Sequence, residues 1–506
     1  DYFCHNAIDA ACRALKDLRS QGKTLKSITY TADDGWVILY DHNGAWPRNI
    51  PNAAAQKLQS LAWSGVQITG VSFTAGGGWI VLSGKNDFSS TGVPDEADKK
   101  LKELRSQGKT LKSIAFTPND GWAILYDHSG HDSLNIPTDV VQKLESLRTF
   151  GADITSVFFP PRLPLSVDRS WVLNLMKKYN VRGLSLAVVK DGKIYAQGYG
   201  VTKDGGPPVD TKTHFQAGSI SKPFSALGAL VLVQQGKLDL DEDVNTRLKS
   251  WKYRHNSFTP QKGINLRQIL SHTGGFVWSG SPGYAVGSPL PSLLQMLDGA
   301  YPCNTRPIEV AYPVGSEWHY SGGGFMVMEQ EIEDVTGLRF AAFMSSAVLG
   351  PLGMASSSYE APAPSTILDN AAAGYEGGKL INGNWMVYPE SSPAGLWSTP
   401  SDLVKFVIHM RKIAEGQGII SANLQNQYLT IQPATKTSGL GIEVAGQGKS
   451  RYYYHGASTN GYLAYMKGFT ETGDGAVVMI NGNRKGEGPI LHEVLQQIGK
   501  NFGWPQ

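Results

Sequence analysis

Phe215-Gln216-Ala217-Gly218-Ser219-Ile220-Ser221-Lys222-Pro223-Phe224 is the stretch from which the rest of this chain is read. Residues three apart share a helix face, so an S-x-x-K tetrapeptide opening a helix brings Ser219 Oγ and Lys222 Nζ to one point. The apolar run Pro223 to Gln235, stopped by Gly236, predicts that helix. Pro223 fits a first turn, where its missing N–H costs little. A serine hydroxyl is a weak nucleophile until a neighbour takes its proton. A lysine in a partly dry pocket beside a positive helix end can lose its own proton and do so. Read blandly, Ser219 is a helix cap and Lys222 a solvated helix lysine.

Three other motifs give the tetrapeptide its weight. Leu270-Ser271-His272-Thr273-Gly274-Gly275, Tyr320-Ser321-Gly322 and His455-Gly456-Ala457 follow in that order. Order and spacing resemble the serine β-lactamase and penicillin-binding-protein superfamily, most closely its class C, DD-peptidase and esterase branch. The resemblance spans residues 165–506. It implies an α+β fold: a β-lactamase-like antiparallel sheet flanked by helices, with an all-helical subdomain. It also implies acyl-enzyme chemistry on Ser219, with Lys222 as base and Tyr320 shuttling a proton once neighbouring cations lower its pKa. His455 stands where many members carry the lysine of Lys-Thr-Gly, as a cation or a neutral donor. Gly456-Ala457 keeps the strand edge open for backbone approach, and the Ser458 N–H joins that of Ser219 as an oxyanion hole. Many members read Tyr-x-Asn, whereas Gly322 carries no amide for the acyl-side carbonyl, which sets β-lactam turnover behind peptides and esters. His272-Thr273-Gly274-Gly275 reads as a structural turn. Trp278 in the Gly/Ser/Pro-rich loop 276–300, Gly322, and Trp397 of Leu396-Trp397-Ser398-Thr399-Pro400 are candidate cleft-lining residues; core packing suits Trp397 equally.

Residues 1–160 are a tandem array. Trp36, Trp79 and Trp122 recur 43 residues apart, as do Leu18, Leu61, Leu104 and Leu147, and Gly22, Gly65, Gly108 and Gly151. The expected unit is αββ: a helix stopped by its glycine, an alternating strand, an Asp/Asn/Gly turn, then an apolar strand. Three units are complete, and the fourth is a helix plus a strand ending at Phe159. Each unit is too small to hold a core alone, so neighbours stack. Pro160-Pro161-Arg162-Leu163-Pro164 breaks the pattern, giving a linker at 161–164 and the hydrolase-like domain at 165–506. The array serves as a structural cap or as a docking surface for a polymer or protein substrate. Ahead of a β-lactamase-like domain it resembles, in architecture alone, the fungal polyglycine hydrolases, secreted endopeptidases that cut glycine-rich linkers.

A length of 506 residues admits several domains, and a net charge of +3 implies no nucleic-acid partner. No run reaches the ~18 apolar residues of a membrane span. Three cysteines give no disulfide framework; Cys303 reads as a lone thiol, and Cys4 and Cys12 pair only if the first residues fold back. No His/Cys cluster or H-E-x-x-H supports a metal, and no cofactor is expected. The chain begins at Asp1, which fits removal of a leader and fits a chain boundary equally. Secreted or periplasmic is the expected location, on the resemblance. The missing N-x-[ST] acceptors suit a bacterial source better than a fungal one.

The leading expectation is a secreted serine hydrolase acting on Gly- or D-Ala-containing peptides, including polyglycine. A carboxylesterase, and a weak β-lactamase or penicillin-binding protein, are its alternatives. Two other classes stay open: a binding or sensor protein that has lost turnover, and a polymer-binding protein whose repeats carry the function.

Overall fold

The computed structural model describes residues 9–31, 35–74, 76–117, 121–136, 138–157, 167, 169–278, 280–483 and 488–505. The segment 161–164, Phe159 and Cys4 lie outside them, and with them the linker and the Cys4–Cys12 pairing. Two compact units are present, Asp1–Pro164 and Leu165–Gln506.

In the first unit, α1 (Asp9–Ser20), β1 (Leu25–Tyr30), β2 (Trp36–Tyr40) and β3 (Gly44–Arg48) recur as α2 (Asn52–Trp63), β4 (Ile68–Phe73), β5 (Trp79–Ser83) and β6 (Asp87–Thr91). They recur again as α3 (Asp95–Ser106), β7 (Leu111–Phe116), β8 (Trp122–Tyr126) and β9 (Gly130–Leu134), before α4 (Thr138–Thr149). Each unit therefore adds a third antiparallel strand to the expected two. β3, β6 and β9 read GAWPR, DFSST and GHDSL, with no apolar alternation, because they are edge strands. Pro47 is tolerated there for the same reason.

The middle strands are apolar without a break because each is covered on both faces. Trp36 and Ile38 pack on α1, while Val37 and Leu39 pack on α2. Trp79 and Val81 return to α2, while Ile80 and Leu82 meet α3. At the end, Leu125 meets Leu144 of α4. Sheets and helices thus alternate in layers, and α4 closes the last sheet as a cap. Residues 152–157 form no strand, contrary to the expected fourth strand. The segment instead adds Ile154 and Val157 to the cluster that α4 makes with the last sheet, and the Ile154 N–H donates to the His128 carbonyl at 3.2 Å.

The second unit is built on one antiparallel sheet. Its helices include α5 (Arg169–Tyr179), α6 (Ser221–Gln234), α7 (Gly322–Thr336) and α8 (Pro489–Asn501). Strands β10 (Gly183–Lys190), β11 (Lys193–Gly200), β12 (Glu443–Ala445), β13 (Tyr452–Thr459), β14 (Tyr462–Phe469) and β15 (Gly475–Ile480) lie in the order β11-β10-β15-β14-β13-β12. The terminal helices α5 and α8 pack together on this sheet. Its other face, with Ala187, Val189, Ala464, Met466, Val477 and Met479, shares one core with α6 and α7. α6 is buried along nearly its whole length, as a central helix must be.

Two local expectations change. The 276–300 loop contains a two-residue strand, Tyr284–Ala285, and a short helix, Leu293–Asp298, capped by Ser292. β13 continues through Thr459, so His455 to Ser458 lie inside the strand rather than after it. The hairpin with β14, closed by Asn460-Gly461, extends the pairing past the glycine and alanine.

Candidate active site

Ser219 sits in a single 3-10 turn, Gly218–Ile220, that runs directly into α6. Gly218 has φ 50, and a Cβ there would lie 2.8 Å from Thr459 Cγ2 and 3.4 Å from Ala457 Cβ. Glycine thus tolerates the left-handed backbone and lets β13 close on the turn that carries Ser219. The two sequence motifs, far apart in the chain, meet here.

One helical turn on, Lys222 is 1% exposed. Its Nζ lies 3.2 Å from Ser219 Oγ and donates to the Pro393 carbonyl at 2.9 Å. The centroids of the Tyr320 and Phe325 rings are 4.7 and 5.6 Å from it. Among the described residues no carboxylate pairs with Lys222, so burial alone sets its acidity and brings its pKa down to about 7. A neutral amine there keeps an N–H for Pro393 and a lone pair for Ser219.

Tyr320 precedes α7, whose first turn is fixed by Ser321 Oγ accepting from the Gly324 N–H at 2.9 Å. Burial pushes the phenol's pKa above its ordinary value, and interaction with Ser219 opposes this without overcoming it. The expectation that nearby cations would lower it is not met, because desolvation outweighs the lowering influence there. His455, 5% exposed, is pushed down to about 3, chiefly by burial. Its Nδ1 is 2.7 Å from the Gly456 carbonyl, which places the proton on Nδ1 and leaves Nε2 as an acceptor. Its ring centroid lies 6.5 Å from that of Tyr320. His455 is therefore neutral rather than cationic.

The backbone of β13 faces the same place. Next to a two-residue turn the pair Thr459–Tyr462 exchanges hydrogen bonds, and such pairs alternate along the ladder. Ser458, opposite Leu463, falls in the intervening class, so its N–H points to the free strand edge, away from β14. The same alternation turns the Val444 N–H of β12 outward, onto the Thr437 carbonyl at 2.7 Å. Gly456 and Ser458 are exposed, and Ala457 is half-buried.

The three proposed lining residues separate. Trp397 is 6% exposed, edge-on to Trp385 and Tyr462, and belongs to the core. Trp278 is half-buried at φ 82, a strained backbone for a bulky residue. Its carbonyl accepts from Gly322 and Gly323 at 2.8 and 3.2 Å, which fixes the start of α7 just after Tyr320. Gly322 is buried at that helix start.

Two contributors, Pro393 and Glu329, escaped the sequence reading, and His272, read there as part of a structural turn, also supports Tyr320. His272 packs its ring 4.4 Å from that of Tyr320, and its Nδ1 accepts the Ser321 N–H at 3.1 Å, so it holds the Tyr320 ring in place. Burial keeps it neutral too. Pro393 supplies only a carbonyl, which no side-chain motif announces. Glu329, on α7, is fully buried and accepts the Ser392 N–H at 2.8 Å, while Ser392 Oγ donates to the Phe325 carbonyl at 2.8 Å. These bonds fix the turn that presents the Pro393 carbonyl to Lys222. Burial raises Glu329 to about 8. A glutamate among apolar residues in Phe325-Met326-Val327-Met328-Glu329 was the available signal.

A family model described as Beta-lactamase matches residues 169–499. Protein flp of Staphylococcus aureus (strain N315) is 26% identical over 238 residues, covering 45% of this chain and 43% of that protein. Penicillin-binding protein 4* of Bacillus subtilis (strain 168) is 26% identical over 191 residues, 36% of this chain and 38% of that protein. The chain thus spans less than half the length of these curated relatives. Among solved structures, the octameric penicillin-binding protein homologue from Pyrococcus abyssi superposes with a TM-score of 0.54 at 22% identity, covering 66% of this chain and 76% of that one. The D-amino acid amidase from Ochrobactrum anthropi SV3 gives 0.53 at 21% identity, covering 66% of this chain and 99% of that one. At such identities the likeness is one of fold.

Proposed function

The chain belongs to the beta-lactamase family, and from that premise we propose that it is a serine hydrolase that forms an acyl-enzyme on Ser219 and cuts peptide bonds. One observation carries this reading: Lys222 Nζ lies 3.2 Å from Ser219 Oγ, and burial brings its pKa to about 7, so that a large share of the amine is unprotonated near neutral pH. Lys222 takes the hydroxyl proton as Ser219 Oγ attacks the carbonyl carbon. The oxyanion rests on the N–H groups of Ser219 and Ser458, each worth ~3–4 kcal/mol in comparable sites. Tyr320, a neutral phenol, gives its proton to the leaving amine as the C–N bond breaks, and the Lys222 ammonium steadies the phenolate. Passage of that proton from Lys222 to Tyr320 restores both groups. A water that gives a proton to the same pair then attacks the acyl carbon, and the pair returns that proton to Ser219 Oγ as the acyl–oxygen bond breaks.

Substrate choice follows from what the pocket lacks. His455 and His272 are neutral, so neither offers a fixed cation for a free terminal carboxylate, and Gly322 offers no amide. That supports peptide bonds in Gly-containing segments, polyglycine among them, ahead of D-Ala-terminated peptides. Small esters come second, because an ester needs no amide recognition, and β-lactams third. Residues 1–160 serve as the docking surface for the polymer or protein substrate, and the protein acts outside the cytoplasm. Among the described residues no helix is long and apolar enough to cross a membrane.

A fluorophosphonate probe followed by peptide mapping tests the nucleophile. Label on Ser219, lost in Ser219→Ala together with cleavage of oligoglycine and p-nitrophenyl esters, is the expected result. Label on another residue, or full activity in Ser219→Ala, refutes the mechanism.

A further inference from the structure

A groove of about 690 Å³ lies on the other side of the sheet from the shared core, between β13, β14 and the end of α8. Its aromatic lining is Tyr452, Tyr465, Phe469 and Trp504, and its cations are Lys467 and Lys500, with His492 at one end. Among the described residues no carboxylate lines it. The nearest acid on the adjoining strand, Glu443, is occupied by the Thr437 and Ser438 hydroxyls.

Lys467 is the unusual member. It is half-buried, and its Nζ lies 3.7 Å from the Tyr452 ring centroid and 4.9 Å from that of Phe469. Desolvation lowers its pKa, and no acidic neighbour raises it. The two rings attract the ammonium, but among the described residues they leave its N–H groups without an acceptor oxygen and its charge without a counterion, which an anion would supply. The lysines of the repeat unit illustrate the contrast: Lys23 and Lys109 bond to Asp41 and Asp127 at 3.0 and 2.9 Å.

The walls suit a ring. Tyr465 stacks on Tyr454 at 5.9 Å with an interplanar angle of 10°, and His492 meets it edge-on at 4.8 Å. Phe469 and Trp504 form a second aromatic corner at 5.3 Å. Tyr465, His492 and Gln496, which carry hydroxyl, imidazole and amide groups, also line the groove. Stacking faces, hydrogen-bonding groups and an unmatched cation together match a sugar ring that carries a carboxylate.

We propose that this groove is a second binding site, for an acidic oligosaccharide whose carboxylate pairs with Lys467 and whose ring lies against the Tyr465 and Trp504 walls. The site is separate from the Ser219 chemistry.

Titration calorimetry of the whole chain with trigalacturonate is the direct test, with cellotriose and benzoate as controls. Binding of trigalacturonate at least tenfold tighter than of either control is expected, weakening at least tenfold in Lys467→Met and in Tyr465→Ala. Ester hydrolysis by Lys467→Met should match the parent, which shows the variant folded. Lack of heat with trigalacturonate up to millimolar concentration overturns the proposal. So does equal binding of cellotriose, tighter binding of benzoate, or binding that survives Lys467→Met. Loss of binding with intact Ser219 labelling, and loss of labelling with intact binding, separate this site from the hydrolase reading.

Discussion

The two units of this chain treat charge in opposite ways. In the repeat array the interior is apolar, layer upon layer, and ionised groups sit outside in matched pairs, Lys23 with Asp41 and Lys109 with Asp127. In the second unit, Lys222, Glu329, Glu331 and Glu390 are buried, and desolvation moves their pKa values to about 7, 8, 8 and 7, with Arg247 opposing the shift of Glu331. Desolvated ionisable groups oppose stability unless paired. The array is arranged for packing, whereas the second unit gives up stability to keep ionisable groups in its interior, Lys222 beside Ser219 among them.

Ser219→Ala strikes that contrast hardest. kcat/KM should fall at least ~10⁴-fold while the melting temperature holds, since a hydroxyl in a turn contributes little to packing. A comparable loss of fold would make Ser219 a structural residue. Lys222→Met comes next, with kcat/KM lower by about 10²–10⁴-fold and a melting temperature equal to the parent's or higher, because a buried base without a partner is removed. The parent's rate should climb as pH rises through about 7, as Lys222 loses its proton. A rate that is flat between pH 6 and 8 would take the base role away from it.

The array gives the mirror image. Leu101→Ala removes a fully buried side chain of α3 that packs with Ile80, Leu82 and Ile124 of β5 and β8, and should cost about 2–5 kcal/mol in denaturant unfolding of that unit. Ester hydrolysis at Ser219 should not change, and an equal fall in kcat would erase the distinction between the units. Glu329 sharpens it most finely. Glu329→Leu should lower kcat about 10-fold with KM unchanged, by freeing the turn that holds the Pro393 carbonyl. Glu329→Gln keeps an acceptor for the Ser392 N–H and should restore most of the rate. Equal losses in both variants would show that the carboxyl acts through charge instead.

Motifs with local causes were legible. A 43-residue period in tryptophan, leucine and glycine names a layered array, because each layer repeats one helix stop and one two-faced strand. The edge strands β3, β6 and β9 were not legible, since half-exposed strands carry no apolar alternation. The fourth strand was over-read for the opposite reason: alternation over the described residues 152–157 reflects packing of Ile154 and Val157 beside α4, without a strand.

Ser219 and Lys222 needed only helical spacing, because three residues on a helix always return to one face. Their approach to Tyr320 and β13, and the neutrality of every basic group around them, depend on burial and on a glycine at 218 that admits a neighbouring strand. The amino-acid sequence by itself determined the period of the array and the pairing of hydroxyl with amine. Tertiary structure alone decided which groups lose their charge and which backbone carbonyl and amides face them. Desolvation and close approach arise from segments hundreds of residues apart, whereas spacing arises within a single turn.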